Sequence, residues 1–275
     1  MSTAVASVHG LQKDSRVSGK KMAGSQSLER GLEILEVLDK AATPLGVREI
    51  GRRLNISATI VQRLVNTLAA LHYVVQDPET KRYSIGYRVL GLGWTLMKKD
   101  PLITASQPHL ERLARSHLLN GYLAKLHGNR AVYLLSMQSE GPIAIRSAPG
   151  SLAWLHSTAM GKVLLAAMPP EQAYAVLSSE PLPQLTPNTI VDIDALMKQM
   201  EEVRTSGVAI SNSENLVGVV SVGAPLRDGS GQVVAALSVA YTPWSAPEMS
   251  TEKAAELVVD SALQISSALG YSPDR

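Results

Sequence analysis

The chain contains no cysteine. That excludes a disulfide framework, a cysteine-ligated metal and thiol chemistry, and it suits a reducing compartment. Nor is there an apolar run near the roughly 20 residues that a membrane-spanning helix needs. The N-terminal stretch is small and polar, with Lys13, Arg16, Lys20 and Lys21 in it, and it lacks the apolar centre of a secretory signal. Residues 1–24 are therefore expected to form a disordered basic arm, and the protein to be cytoplasmic with no membrane partner. Internal repeats are absent. So is a Gly-x-Ser-x-Gly nucleophile turn, and His109, His117, His127 and His156 show no paired i, i+4 spacing. No metal, no cofactor and no catalytic residue is expected.

What is present is enough for two domains. The 275 residues are 45% hydrophobic, ample for two buried cores. Charge is unevenly divided. Residues 1–99 hold 15 Lys and Arg against 8 Asp and Glu, a net of +7, whereas residues 100–275 hold 11 against 16, a net of −5. A basic first third joined to an acidic remainder suggests that the first third meets a polyanion.

The pattern of that first third agrees. Ser25 or Ser27 can cap a helix running from about Ser27 to Lys40, with Leu28, Leu32, Leu35 and Leu38 as its apolar stripe. Pro44 and Gly46 break the chain. A second helix is expected over Val47–Leu54, ended by Asn55 in the left-handed conformation, and Ser57 caps a third that runs to about Leu71. Two short β runs, around residues 73–76 and 82–86, flank a turn at Asp77-Pro78-Glu79-Thr80. A helix-turn-helix followed by a β-hairpin is a winged helix, whose third helix enters the major groove of double-stranded DNA. The residues placed to meet DNA are Arg48, Ser57, Ala58, Thr59, Gln62, Arg63 and Asn66 on the helices, and Lys81 and Arg82 on the wing. Residues 25–86 form this domain. A linker helix is expected over 87–100, with Tyr87, Leu90, Trp94 and Met97 on one face.

The remainder, residues 101–272, reads as an α+β domain. A helix over 102–117 precedes β runs at 121–126, 131–137 and 143–146. Helices follow from about Thr158, over 171–177 and over 192–205, with Gly207 as a C-cap. Strands at 208–211, 217–224 and 233–241 lead to a final helix over 246–269. The end formed by Ser157, Thr158, Ala159 and Met160 offers unpaired N–H groups, which suit an anion such as a carboxylate.

Several motifs together resemble one family. They are Ser27-Leu28-Glu29-Arg30-Gly31-Leu32-Glu33-Ile34-Leu35, Val61-Gln62-Arg63-Leu64 and Tyr83-Ser84-Ile85-Gly86 in the first domain. In the second they are Leu155-His156-Ser157-Thr158-Ala159-Met160-Gly161-Lys162 and the stretch Gly207 to Gly218 with Glu214 inside it. The chain resembles the IclR family of bacterial transcriptional regulators from about Ser25 to Leu269. The resemblance implies a GAF-like antiparallel-sheet effector domain, a linker helix that packs against a second subunit, and a homodimer or homotetramer. It also implies an effector pocket, carried over to Ile145, Trp154, Ala159 and Met160 on one side. On the strands it is carried over to Ser211, Val219, Ser221, Ser238 and Ala240. Where the family often has an acidic residue, a Cys and a Pro, this chain has Ser211, Ser221 and Trp154. The expected effector is accordingly a small organic acid with a flat apolar body, such as an aromatic acid.

The function expected is a ligand-responsive regulator of a catabolic operon that binds a palindromic operator. Two alternatives stand beside it. One is an architectural DNA-binding protein without a ligand, against which the size of the second domain argues. The other is an enzyme using the His156-Ser157 region, for which no oriented base is evident.

Overall fold

The computed structural model describes residues 24–141 and 145–273. The expected basic arm, apart from Gly24, lies outside these residues. Among them the chain separates into two compact units, divided in sequence between Lys99 and Asp100. The class is α+β.

The first unit opens with α1 (Gln26–Asp39), capped by the Ser25 hydroxyl, which accepts from Leu28 N at 3.4 Å. Its buried stripe is Gly31, Ile34 and Leu38. Leu28 and Leu32, expected on that stripe, stand 64% and 53% exposed. Helix α2 (Val47–Leu54) ends at Asn55, whose φ of 54° reverses the chain. Ser57 then caps α3 (Ala58–Ala70), accepting from Ile60 N. The turn is tight because Gly51 has no side chain: a Cβ there would lie 2.7 Å from the Ile56 carbonyl oxygen. Ile34, Leu38, Ile50, Val61, Leu64 and Val65 form the core between the three helices. Leu71, the residue that follows α3, is exposed.

The wing pairs β1 (Val74–Gln76) with β2 (Tyr83–Ile85) in antiparallel register. Leu45 bridges the other side of β2, exchanging backbone hydrogen bonds with Tyr83 at 2.8 and 2.9 Å. Asp77 ties the wing tip: its carboxylate accepts from Glu79 N, Thr80 N and the Thr80 hydroxyl. Those donors, Thr80 N–H first, hold the Asp77 carboxyl below its ordinary pKa. Helix α4 (Arg88–Lys99) completes the unit and buries none of its residues.

The second unit begins with α5 (Pro101–Ser116), capped by Asp100, and then places β3 (Asn120–His127) beside β4 (Arg130–Met137). Residues 145 and 146 are not in a strand, contrary to expectation, and 143 and 144 lie outside the described residues. The edge strand is instead β5 (Leu152–Trp154). Helices α6 (Ala159–Ala166), α7 (Pro170–Ser178) and α8 (Ile193–Ser206) follow. Gly207, at φ 71°, turns the chain into β6 (Ala209–Asn212). Strands β7 (Val220–Arg227) and β8 (Val233–Tyr241) and helix α9 (Thr251–Ala268) end the unit. Helix α9 starts five residues later than the 246 expected, because Ser250 is its cap.

The sheet order is β5-β4-β3-β8-β7-β6, antiparallel throughout. Alternation along each strand gives it two faces. Gly121 meets Leu110 of α5 on one face. Tyr122, Ala124, Ala236 and Ala240 lie on the other, in a core shared with Met160, Val163 and Leu164 of α6. Gly223 brings α6 onto this second face, since a Cβ there would stand 3.1–3.2 Å from the backbone of Ala159 and Met160.

Candidate functional site

Two sites follow from the residues, one in each unit. In the first, α2 and α3 present Arg48, Arg52, Ala58, Thr59, Gln62, Arg63 and Asn66, all exposed. Two shallow depressions run between these helices, and Arg48 and Ala58 line both. Arg52, which the sequence reading did not select, lines one of them; its place at the end of a short helix beside the turn was the available signal.

Not every expected DNA-facing group is unengaged. The Ser57 hydroxyl is occupied by the α3 cap. Gln62 Nε2 donates to Asn66 Oδ1 at 2.8 Å and to the Tyr83 hydroxyl at 3.0 Å, which joins the exposed face of α3 to the wing. Arg82 turns inward to the fold, donating to the Pro44 carbonyl at 2.9 Å and reaching Glu49 at 3.5 Å. Lys81, at the wing tip with φ 57°, is exposed.

The second site is built around the first turn of α6. Thr158 caps it, accepting from Gly161 N at 3.2 Å and donating to the Trp154 carbonyl at 2.7 Å. Ala159 and Met160, buried, supply the first N–H groups, which lie beyond the reach of intrahelical acceptors. The loop before the helix is pinned by Ser211, whose hydroxyl donates to the Ser157 carbonyl at 2.7 Å. Ser211 is thus a support whose proton is committed. Ser221 pairs with Ser211 on one side and with Ala240 on the other, and Ser238 pairs with Gly223. Ser211, Ser221, Ser238 and Ala240 therefore face α6. Val219 packs against the same core. So does Ile145, held at both ends: its N–H donates to Asn120 Oδ1 at 3.1 Å, and its carbonyl accepts from the Tyr122 hydroxyl at 2.6 Å.

Trp154 has a different setting. Its ring lies 3.6 Å beneath the Arg130 guanidinium and makes an edge contact with His156. Arg130 is ion-paired in turn with Glu180. One indole face is therefore taken up by a cation.

Beneath the site lies a buried ion pair. Lys162 Nζ donates to both Glu214 oxygens, at 2.6 and 2.8 Å, and to the Ile210 carbonyl at 3.0 Å. Burial pushes the lysine below its ordinary pKa and Glu214 pulls it back up. The Thr189 hydroxyl donates to the Glu214 carbonyl and the Thr186 hydroxyl to the Ser213 carbonyl, each at 2.6 Å, and Ser157 donates to Asn215. Residues 213–216 are thereby tied to α6 from below and to the 186–189 loop from outside.

His156 and Ser157 are not arranged as base and nucleophile. His156 Nε2 meets the Pro183 carbonyl at 3.1 Å, and the Ser157 hydroxyl is turned to Asn215. Burial favours the neutral imidazole and pushes its pKa below the ordinary value, and because a carbonyl oxygen only accepts, Nε2 is the donor in that contact.

The sequence reading missed two tyrosines on this face. Tyr122 and Tyr133 meet edge to face with ring centroids 5.5 Å apart, in a chain without phenylalanine. Their strands were anticipated, but their common side depends on an irregularity in β4 that alternation does not reveal.

Comparison with known proteins bears on both sites. Two family models match: the IclR helix-turn-helix domain over residues 27–78 and the bacterial transcriptional regulator IclR C-terminal domain over residues 95–267. The HTH-type transcriptional repressor AllR of Escherichia coli K12 is 30% identical over 250 residues, spanning 90% of this chain and 91% of AllR. The crystal structure of the Thermotoga maritima IclR superposes with a TM-score of 0.73 at 28% identity, covering 89% of this chain and 99% of that one. An IclR homologue from Microbacterium hydrocarbonoxydans, solved in complex with 4-hydroxybenzoate, gives a TM-score of 0.79 at 23% identity. It covers 90% of this chain and 100% of its own, and at that identity the likeness is one of fold.

Proposed function

This chain belongs to the IclR family of bacterial transcriptional regulators, and on that premise we propose that it represses a catabolic operon in response to a small aromatic carboxylic acid. It is a DNA-binding regulator and not an enzyme, as the members it matches are. The operator is palindromic double-stranded DNA, the protein a cytoplasmic dimer or tetramer. AllR, named a repressor, supports the sign of regulation.

The observation that carries the effector reading is the face opposite α6. There an uncapped pair of backbone N–H groups, at Ala159 and Met160, stands over a sheet surface of serine hydroxyls and tyrosine rings. The N–H groups suit a carboxylate; the rings suit a flat apolar body. The 4-hydroxybenzoate bound by the Microbacterium homologue is an acid of that kind. Two of the expected groups take supporting roles: Ser211 holds the 157 loop, and Trp154 serves Arg130.

Dimerisation is supported by α4. Tyr87, Leu90, Leu92, Trp94 and Leu96 are each more than half exposed, more apolar surface than a solvated helix carries without a partner. In this reading the residues from 86 to 100 pass the effector's influence to the DNA readers, with a coupling of about 1–3 kcal/mol.

The test is a gel shift on the DNA just upstream of the protein's own gene, with and without benzoate-type acids. A sequence-specific complex released by the acid is expected. Arg63→Ala should weaken that complex by about 1–3 kcal/mol with the melting temperature unchanged. A shift that no acid alters would instead favour an architectural protein.

A further inference from the structure

We propose that Ser136 determines effector specificity by reading a hydrogen-bonding group that the effector carries at the end opposite its carboxylate. The inference rests on the reading of the α6-facing sheet surface as the effector site, and it narrows which acids fill that site.

The argument starts from the irregularity in β4. Leu123 pairs with Leu135, but the next residue, Ala124, pairs with Tyr133. Leu134 is therefore an extra residue in the strand, a β-bulge. In an unbroken strand, residues three apart point to opposite faces. The bulge cancels that alternation, so Tyr133 and Ser136 both face α6. Tyr133 is opposite Ala124 and Ser136 is opposite Tyr122, and both of those partners belong to the core under α6.

Ser136 then begins a row that crosses the sheet. Tyr122 is its partner on β3, Ser238 is opposite Tyr122 on β8, and Gly223 is opposite Ser238 on β7. The row ends under the helix, since a Cβ on Gly223 would stand 3.2 Å from Met160 N. One of its hydroxyls is unused. Ser136 Oγ is buried and has no hydrogen-bond partner among the described residues. Ser238, two strands along the row, is 3% exposed. Buried hydroxyls are nearly always bonded, so the free one on Ser136 points to a ligand that bonds it. The Tyr122 hydroxyl is not available, being committed to the Ile145 carbonyl; its ring supplies apolar wall alongside.

The length of the row sets the length of the ligand. Gly223 to Ser136 is three strand spacings, roughly 14 Å. A hydrogen bond of about 3 Å at each end leaves roughly 8 Å between the ligand's polar ends. A flat acid with a hydroxyl or amino group para to its carboxyl-bearing position comes near that distance. A two-carbon or three-carbon keto acid does not.

Calorimetric titration of the full-length protein with 4-hydroxybenzoate, benzoate and glyoxylate tests this, using the wild type, Ser136→Ala and Ser136→Thr. The wild type is expected to bind 4-hydroxybenzoate about tenfold more tightly than benzoate, the worth of one net hydrogen bond. Ser136→Ala should abolish that preference, leave benzoate unchanged and melt no lower than wild type, because the hydroxyl it removes holds nothing in the fold. Ser136→Thr, which keeps the hydroxyl, should keep the preference. Equal wild-type affinity for the two aromatic acids, or an equal loss for both in Ser136→Ala, overturns the role of Ser136 while the effector reading stands. Binding of glyoxylate alone, or of none of the three, overturns both.

Discussion

Each unit contains a glutamate paired with basic side chains, two for Glu49 and one for Glu214, and the two are used differently. Glu49 lies on the surface of the first unit, 2.9 Å from Arg53 and 3.5 Å from Arg82. Its partners are 43% and 48% exposed, so water screens both pairs. Glu214 in the second unit is 8% exposed and meets a lysine that is not exposed at all. Inside the protein the attraction is stronger, but so is the cost of leaving either charge alone. The surface pair orients a wing that needs its other cations free for a polyanion. The interior pair fixes a loop against the helix end that is proposed to bind the effector. The same chemistry trims geometry in one place and determines it in the other.

The contrast is sharpest when one partner is removed. Lys162→Met should destabilise the second unit by about 3–5 kcal/mol, because Glu214 is left buried and unpaired; calorimetric melting measures it. The double variant Lys162→Met with Glu214→Leu should recover most of that loss. Gly223→Val comes next. Its Cβ would press on the Ala159–Met160 backbone, and about 1–3 kcal/mol is expected from overpacking, together with weaker acid binding. Glu49→Ala should cost under about 1 kcal/mol. A loss there equal to that of Lys162→Met would erase the distinction between the two glutamates. Lys81→Ala should leave stability alone and flatten the dependence of log K for DNA on log salt by about 0.9.

The smallest effect concerns pH. His156 has its folded pKa pushed below the unfolded value of about 6.5 by burial. Between those two values the unfolded chain binds more protons, so the second unit loses stability as pH falls below about 6.5. Melting temperatures measured from pH 7.5 downward should fall more steeply for wild type than for His156→Gln. Parallel curves would remove His156 from the account.

Much of the fold was legible because it rests on local chemistry. Asn55, Ser57 and Gly207 were identified as caps or stops by residue type, and each holds that position. What escaped depends on partners far along the chain. The edge strand β5 has three residues, too few for periodicity to reveal. Strand β7 begins at Val220 rather than 217 because Gly218, at φ 76°, and the Ser213 hydroxyl close the preceding loop first. Arg82 looked like a wing cation, yet Pro44 and Glu49, far back in sequence, take its guanidinium. In the effector unit the strand residues Ser221, Ser238 and Ala240 were placed by resemblance. Tyr122, Tyr133 and Ser136 were not, because the bulge at Leu134 that aligns them leaves no mark in the hydrophobic pattern.

The wing tip carries a kinetic consequence. Asp77 accepts three hydrogen bonds from Glu79 and Thr80, and Gln76 Nε2 donates to the Lys81 carbonyl, so the turn has its shape before it meets any partner. A segment already ordered gives up little conformational freedom on docking. What Lys81 then adds is long-range attraction, which acts on the encounter itself. Its influence should therefore be felt in how quickly the protein finds DNA, with much less change in how long it stays.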